Sequence, residues 1–220
     1  MIDTPHGPAR AHIHDAEGEA RAALMLGHGA GGGFKGGDLQ TVTAVARELG
    51  YVVAHVEQPY LVAGRRSAAP AHQLDAAWLA VVEHLREHEL AGLPLVAGGR
   101  SSGARVACRT AAAAGAIAVL CLAFPVHPPG KPEKSRLDEL DGVEVPVLVI
   151  QGESDPFGMP PDAPGREVVV VPGTHSFTRA VTGIAEAARE LVVIPGAHSF
   201  NAAGLNALTE AVRDWLPRAV

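Results

Sequence analysis

The chain has 220 residues, 47% of them hydrophobic and 4% aromatic, with a net charge of −6 and a pI near 6.0. That length suits one domain with a sizeable core, and the acidic balance excludes the clustered Lys and Arg with which nucleic-acid binders neutralise phosphates. Cys108 and Cys121 make no disulfide framework, and Met1-Ile2-Asp3-Thr4-Pro5 has neither the basic nor the apolar region of a leader, so a soluble cytoplasmic protein, monomer or homodimer, is expected.

Along the chain, a polar opening reads as an edge strand over Ala9–His14. Short apolar runs then alternate with helical patterns: Ala22–Leu26, Tyr51–Val56, Leu93–Ala97, Ile117–Ala123, Val145–Ile150, Val168–Val171 and Leu191–Ile194. Their continuous hydrophobicity is what parallel strands buried on both faces require. The spacing predicts helices over Leu39–Leu49, with Asp38 as N-cap, Leu74–His88 and Ala104–Ala114. Pro125–Val143 reads as a loop with one short helix, too short for a lid domain. The longest apolar run, near Ala116–Val126, is too short to span a bilayer.

The chemistry begins at Leu93-Pro94-Leu95-Val96-Ala97-Gly98-Gly99-Arg100-Ser101-Ser102-Gly103, which sets Gly99-x-Ser101-x-Gly103 between a buried strand and a helix. A nucleophile elbow needs that context: the turn is so tight that side chains two residues either side of the serine would clash. Ser101 is then pushed out at a helix N-terminus, where the dipole and the amide of Ser102 favour negative charge.

Upstream, Ala23-Leu24-Met25-Leu26 runs into Gly27-His28-Gly29-Ala30-Gly31-Gly32-Gly33. An amide at Ala30 or Gly31 would be a second oxyanion donor, glycines allowing close backbone approach. Gly27-x-Gly29-x-x-Gly32, with Glu57 ending the next strand, also satisfies a dinucleotide fingerprint. There the helix begins inside the glycine motif, whereas Phe34-Lys35-Gly36-Gly37 delays it here.

A late strand, Val145–Ile150, ends in Gln151-Gly152-Glu153-Ser154-Asp155-Pro156-Phe157. Asp155 is the expected third member of a triad, with Glu153 as the fallback, since the order serine, aspartate, histidine suits this arrangement. The histidine is doubled, because Arg166–Phe177 recurs 23 residues later as Arg189–Phe200, giving His175 and His198 after matching Pro-Gly turns. Two copies are too few for a solenoid, so a duplicated strand-loop-helix unit is read. If the units add strands outward in order, His198 lies one strand spacing, about 4.8 Å, farther from Ser101, favouring His175. If the first copy is instead an insertion, with a helix over Arg179–Arg189, the base is His198.

His12 and His14 share one strand face without a third ligand of matching spacing, and His84 and His88 lack the His-Glu-x-x-His arrangement, so neither a metal nor a cofactor is expected. Arg65, Arg66, Arg100, Lys131 and Lys134 fall in or beside loops that would line a mouth. They would select an anionic substrate, or else form a solvated rim with internal salt bridges.

Together, Leu26-Gly27-His28-Gly29-Ala30-Gly31-Gly32, Glu57-Gln58-Pro59, Gly64-Arg65-Arg66, Gly98–Gly103, Ala123-Phe124-Pro125 and Gln151–Phe157 resemble the small lidless α/β-hydrolases related to dienelactone hydrolase, often called the testis-expressed-protein-30-like or KANL3-like group. The resemblance, from about Leu24 to Trp215, implies an α/β-hydrolase fold without a lid domain. It also implies a triad of Ser101, Asp155 and a histidine, and relatives with a short Asp-to-His interval resemble the first copy, His175. Dienelactone hydrolases proper use a cysteine nucleophile, so their substrate does not carry over. The expected activity is a serine hydrolase acting on a small ester or thioester. The alternatives are a catalytically silent scaffold engaged in protein interaction, or a dinucleotide-binding protein.

Overall fold

The computed structural model describes residues 1–175 and 202–220. Its strands are β1 (Arg10–His14), β2 (Ala22–Gly27), β3 (Tyr51–Glu57), β4 (Leu95–Arg100), β5 (Ala118–Leu122), β6 (Val147–Gly152) and β7 (Arg166–Val171), lying in the order β1-β3-β2-β4-β5-β6-β7. Only β1 is antiparallel to its neighbour. The helices are α1 (Gly37–Glu48), α2 (Pro59–Val62), α3 (Ala71–Glu87), α4 (Ser102–Ala114), α5 (Leu137–Asp141) and α6 (Ala202–Trp215).

Alternation along each strand explains the unbroken apolar runs. Leu24, Leu26, Val53, Val96, Leu120 and Leu148 pack on one face against Leu39, Val42, Leu208 and Trp215 of α1 and α6. Met25, Ala97, Val119, Cys121 and Val149 pack on the other against Trp78, Val82, Leu85 and Ala104 of α3 and α4. Both faces are covered by helices, so neither set can be polar.

Two readings of the sequence need correction. Gly36, not Asp38, stands at the N-cap of α1; Asp38 lies in the first turn with its side chain wholly buried, because Arg100 reaches it from β4. The strand expected from Leu93 starts at Leu95, since Pro94 lacks the N–H a central strand needs and instead accepts from the Ala23 amide. The short helix α2 was not foreseen; Pro59 at its first position presets the backbone. The second copy of the tail repeat, with Leu191–Ile194 and His198, lies outside the described residues.

The β1 edge carries a chain of neutral imidazoles. Thr43 Oγ1 donates to the Leu39 carbonyl and so accepts from His55 Nε2, at 2.7 Å in each case, leaving His55 Nδ1 to accept from His14 Nε2 at 3.3 Å. Phe34 stacks on the His55 ring at 4.2 Å. Burial, then the charges of His14 and His12, push the pKa of His55 down to about 3. The unfolded chain binds this proton below its ordinary value of 6.5 and the folded chain does not. The stability due to neutral His55 is therefore complete above that value and lost as pH falls toward 3, by about 1.4 kcal/mol per pH unit. His55→Gln, which keeps a donor for Thr43, is expected to flatten the decline in urea-measured stability between about pH 6 and pH 4. An unchanged slope would remove His55 from the acid response.

Candidate active site

The path from β2 through α1 to β3 runs outward on one side, whereas β3 returns through α3 to place β4 on the other side of β2. The order of the sheet thus reverses between β2 and β4, which opens a crevice at their carboxyl ends, where open α/β sheets bind ligands. The β2 exit, Gly27–Gly33, and the β4 exit, Ser101, meet there.

Three glycines permit that meeting. A Cβ on Gly99 would stand 2.6 Å from the Gly27 carbonyl oxygen, and one on Gly27 would stand 3.0 Å from the Gly103 Cα. A Cβ on Gly103 would overlap the Gly27 carbonyl outright. Backbone lies against backbone, and the turn between them drives Ser101 to φ 52 and ψ −107, a region that costs a side-chain-bearing residue about 1–3 kcal/mol. The Ser101 amide, donating to the Leu122 carbonyl at 2.9 Å, ties the strained residue to the sheet.

His175 reaches this serine from β7. The Ser154 amide donates to the Gly173 carbonyl and the Glu153 amide to the Val171 carbonyl, so the turn carrying His175 is stitched to the loop carrying Asp155. His175 Nε2 lies 2.8 Å from Ser101 Oγ, and His175 Nδ1 lies 2.9 Å from Asp155 Oδ2. A carboxylate accepts only, so Nδ1 carries the proton and Nε2 is free to accept from the hydroxyl. The Asp155 side chain is fully buried and that of His175 is 11% exposed.

Further side chains hold the set in place. Gln151 Nε2 donates to Asp155 Oδ2 at 2.7 Å and the Phe157 amide donates to Oδ1 at 2.8 Å, while the Phe157 ring stacks on His175 at 3.9 Å. Arg100 Nη2 donates to the His175 carbonyl at 2.8 Å, and its Nε lies 3.0 Å from Asp38. Burial raises the Asp38 carboxyl above its ordinary value, opposed by the charge of Arg100.

The glycine loop is aimed by two more residues. His28 Nδ1 donates to the Gly29 carbonyl at 2.8 Å while its Nε2 accepts the Gln58 amide at 3.1 Å, and Tyr60 Oη donates to the Ala30 carbonyl at 3.0 Å. Burial holds the pKa of His28 below its ordinary value, in keeping with this neutral tautomer. A trans peptide sets its N–H opposite to its C=O. Capture of the Gly29 and Ala30 carbonyls therefore turns the amides of Ala30 and Gly31 the other way. Gly29 lies beside the nucleophile, a Cβ built on it falling 3.8 Å from Ser101 Cβ.

A family model for the alpha/beta hydrolase domain matches residues 20–180. The chain belongs to the α/β-hydrolase family. Solved α/β-hydrolase structures share its fold over nearly its whole length. A lidless α/β serine hydrolase from Xanthomonas campestris is 22% identical over 98% of this chain and 93% of its own, with a TM-score of 0.67. Est1E from Butyrivibrio proteoclasticus, solved with ferulic acid bound, is 16% identical over 99% and 98%, with a TM-score of 0.71. A dienelactone hydrolase from Anabaena variabilis is 15% identical over 99% and 94%, with a TM-score of 0.66. No curated protein matches this chain.

Of the expected α/β-hydrolase site residues, the fold brings Ser101, Asp155 and His175 together. Glu153 is exposed, and His198 lies outside the described residues. Arg100, expected at the substrate, is engaged by Asp38 and the His175 carbonyl instead. Arg65 and Arg66 are exposed on the segment after α2, and Lys131 and Lys134 are exposed on the loop before α5. Helix α1 begins at Gly37, beyond the glycine run, as the hydrolase reading requires and the dinucleotide reading does not. No cluster of three metal-binding side chains occurs among the described residues, and no described helix is long and apolar enough to cross a membrane. Sequence reasoning missed Gln151, Tyr60 and the pairing of Arg100 with Asp38. Gln151 did carry a signal, being the one polar side chain on the otherwise apolar strand β6.

Proposed function

We propose that the protein is a serine hydrolase that cleaves a small carboxylic ester or thioester through an acyl-enzyme. The observation that carries this reading is the unbroken chain from Ser101 Oγ to His175 Nε2 at 2.8 Å and from His175 Nδ1 to Asp155 Oδ2 at 2.9 Å. Ser101 Oγ attacks the acyl carbonyl as His175 takes its proton, and Asp155 stabilises the imidazolium. The amides of Ser102 and of Ala30 or Gly31 receive the oxyanion, helped by the N-terminus of α4. Collapse expels the alcohol or thiol with the proton returned by His175. Water, deprotonated by the same imidazole, then attacks the acyl carbon and frees Ser101 and a carboxylic acid.

Arg65 and Arg66 would attract a carboxylate carried by the substrate. Arg100 acts instead as a positioning residue, holding the backbone of His175. A fluorophosphonate, which needs an activated serine, is expected to modify wild type at Ser101 and to leave Ser101→Ala unmodified, as read by intact-protein mass. An unmodified wild type would favour the silent scaffold.

A further inference from the structure

Asp155 is joined to Ser101 by two routes, and the second passes through backbone. Along the first, His175 bridges the two side chains. Along the second, Gln151 Nε2 donates to Asp155 Oδ2 at 2.7 Å and to the Phe124 carbonyl at 3.2 Å. Two residues before Phe124, the Leu122 carbonyl accepts the Ser101 amide at 2.9 Å. The two routes close a ring that contains Ser101, His175 and Asp155. Gln151 Nε2 also lies 3.0 Å from the Gly158 carbonyl, so one side chain ties the segment leaving β5 to the loop leaving β6.

Gln151 is wholly buried. Carbonyl and carboxylate oxygens only accept, and three of them face one nitrogen, so the side-chain amide stands with its nitrogen toward them. Two hydrogens serve three acceptors, and the shortest contact is the charge-assisted one to Asp155. The segment that presents Phe124 is strained. Ala123, also buried, stands at φ 50, a region that disfavours a residue with a Cβ. Such a conformation persists only where the surroundings over-determine it. Here the Ala123 amide donates to the Ile150 carbonyl at 2.9 Å, and the next carbonyl, that of Phe124, is taken by Gln151.

We propose that Gln151 is a positioning residue: it fixes the Asp155 carboxylate to the strained turn after β5, whose other end holds the Ser101 amide, and so sets the reach of the acid to the nucleophile. The inference rests on the hydrolase reading above. Gln151 acts through Asp155, whose Oδ2 it shares with His175 Nδ1. The imidazolium that Asp155 stabilises forms only as Ser101 attacks, so a displaced carboxylate slows the chemical step without weakening substrate binding.

The test is a kinetic cycle in the full chain on a short ester. Gln151→Met keeps an unbranched side chain and removes the donor; it is expected to lower kcat by about 10- to 100-fold and to leave KM within about twofold. In an Asp155→Ala background the same substitution is expected to cost less than about twofold, because residues that act as a unit are not additive. Gln151→Leu, read in the same two backgrounds, keeps the comparison available if the methionine variant does not fold, with urea unfolding as the check on each protein. A purely structural Gln151 would cost the same factor in both backgrounds. That result, or full turnover in the folded variants, overturns the proposal while the hydrolase reading stands. A wild type with neither turnover nor fluorophosphonate labelling at Ser101 would overturn the hydrolase reading and this inference with it.

Discussion

Turnover of a short ester is expected to fall by about four orders of magnitude in His175→Ala and to stay within about twofold of wild type in His198→Ala. His175 faces Ser101 Oγ with one nitrogen and Asp155 with the other, so its loss removes the proton acceptor and strands a buried carboxylate. The ring is held by Asp155 and by Phe157 stacked at 3.9 Å, and the His175 backbone by Arg100 on its carbonyl. A second imidazole reaching the serine would have to displace this packing. Steady-state kinetics on the two variants decide the matter. Full turnover in His175→Ala with loss in His198→Ala would transfer the role to the second copy of the repeat.

Gly103→Ala is expected to cost at least about 3 kcal/mol of folding stability. The added methyl would occupy the space of the Gly27 carbonyl, and neither partner is the flexible end of a side chain. Gly27 belongs to the central strand β2 and Gly103 to the first turn of α4, so relief requires the helix to back away from the sheet. Any such movement also drags Ser101 from its turn. Gly31→Ala, where an added Cβ meets nothing within 4 Å, serves as control and is expected to change stability by less than about 0.5 kcal/mol. Urea unfolding of the two variants measures both effects; a Gly103→Ala protein as stable as wild type would mean that α4 sits farther from β2 than described.

Much of the fold was legible because burial on both faces leaves a strong mark. Residues such as Leu24 and Met25 point to opposite layers, yet both must be apolar, so each interior strand announces itself as an unbroken run. Boundaries moved where a single residue overrode the pattern, as Pro94 did for β4. Gly99, Ser101 and Gly103 could be read together because a tight turn demands glycine at fixed offsets. Asp38 was misread as a cap because its partner, Arg100, is distant along the chain and nothing local reveals a buried ion pair.

By itself the sequence determined the alternation of buried strands and helices, the site of the strand-to-helix turn at Ser101, and the acidic loop around Asp155, all of which follow from local sterics and periodicity. Only the tertiary structure decided which partners those residues meet. It set His175 against Ser101 through β6 and β7 pairing side by side, aimed the glycine loop through His28 and Tyr60, and turned Arg100 inward to Asp38. Apart from His28 and its neighbour Gly29, those contacts join residues far apart in the chain, and their geometry is fixed by strand order and register, which no local pattern encodes.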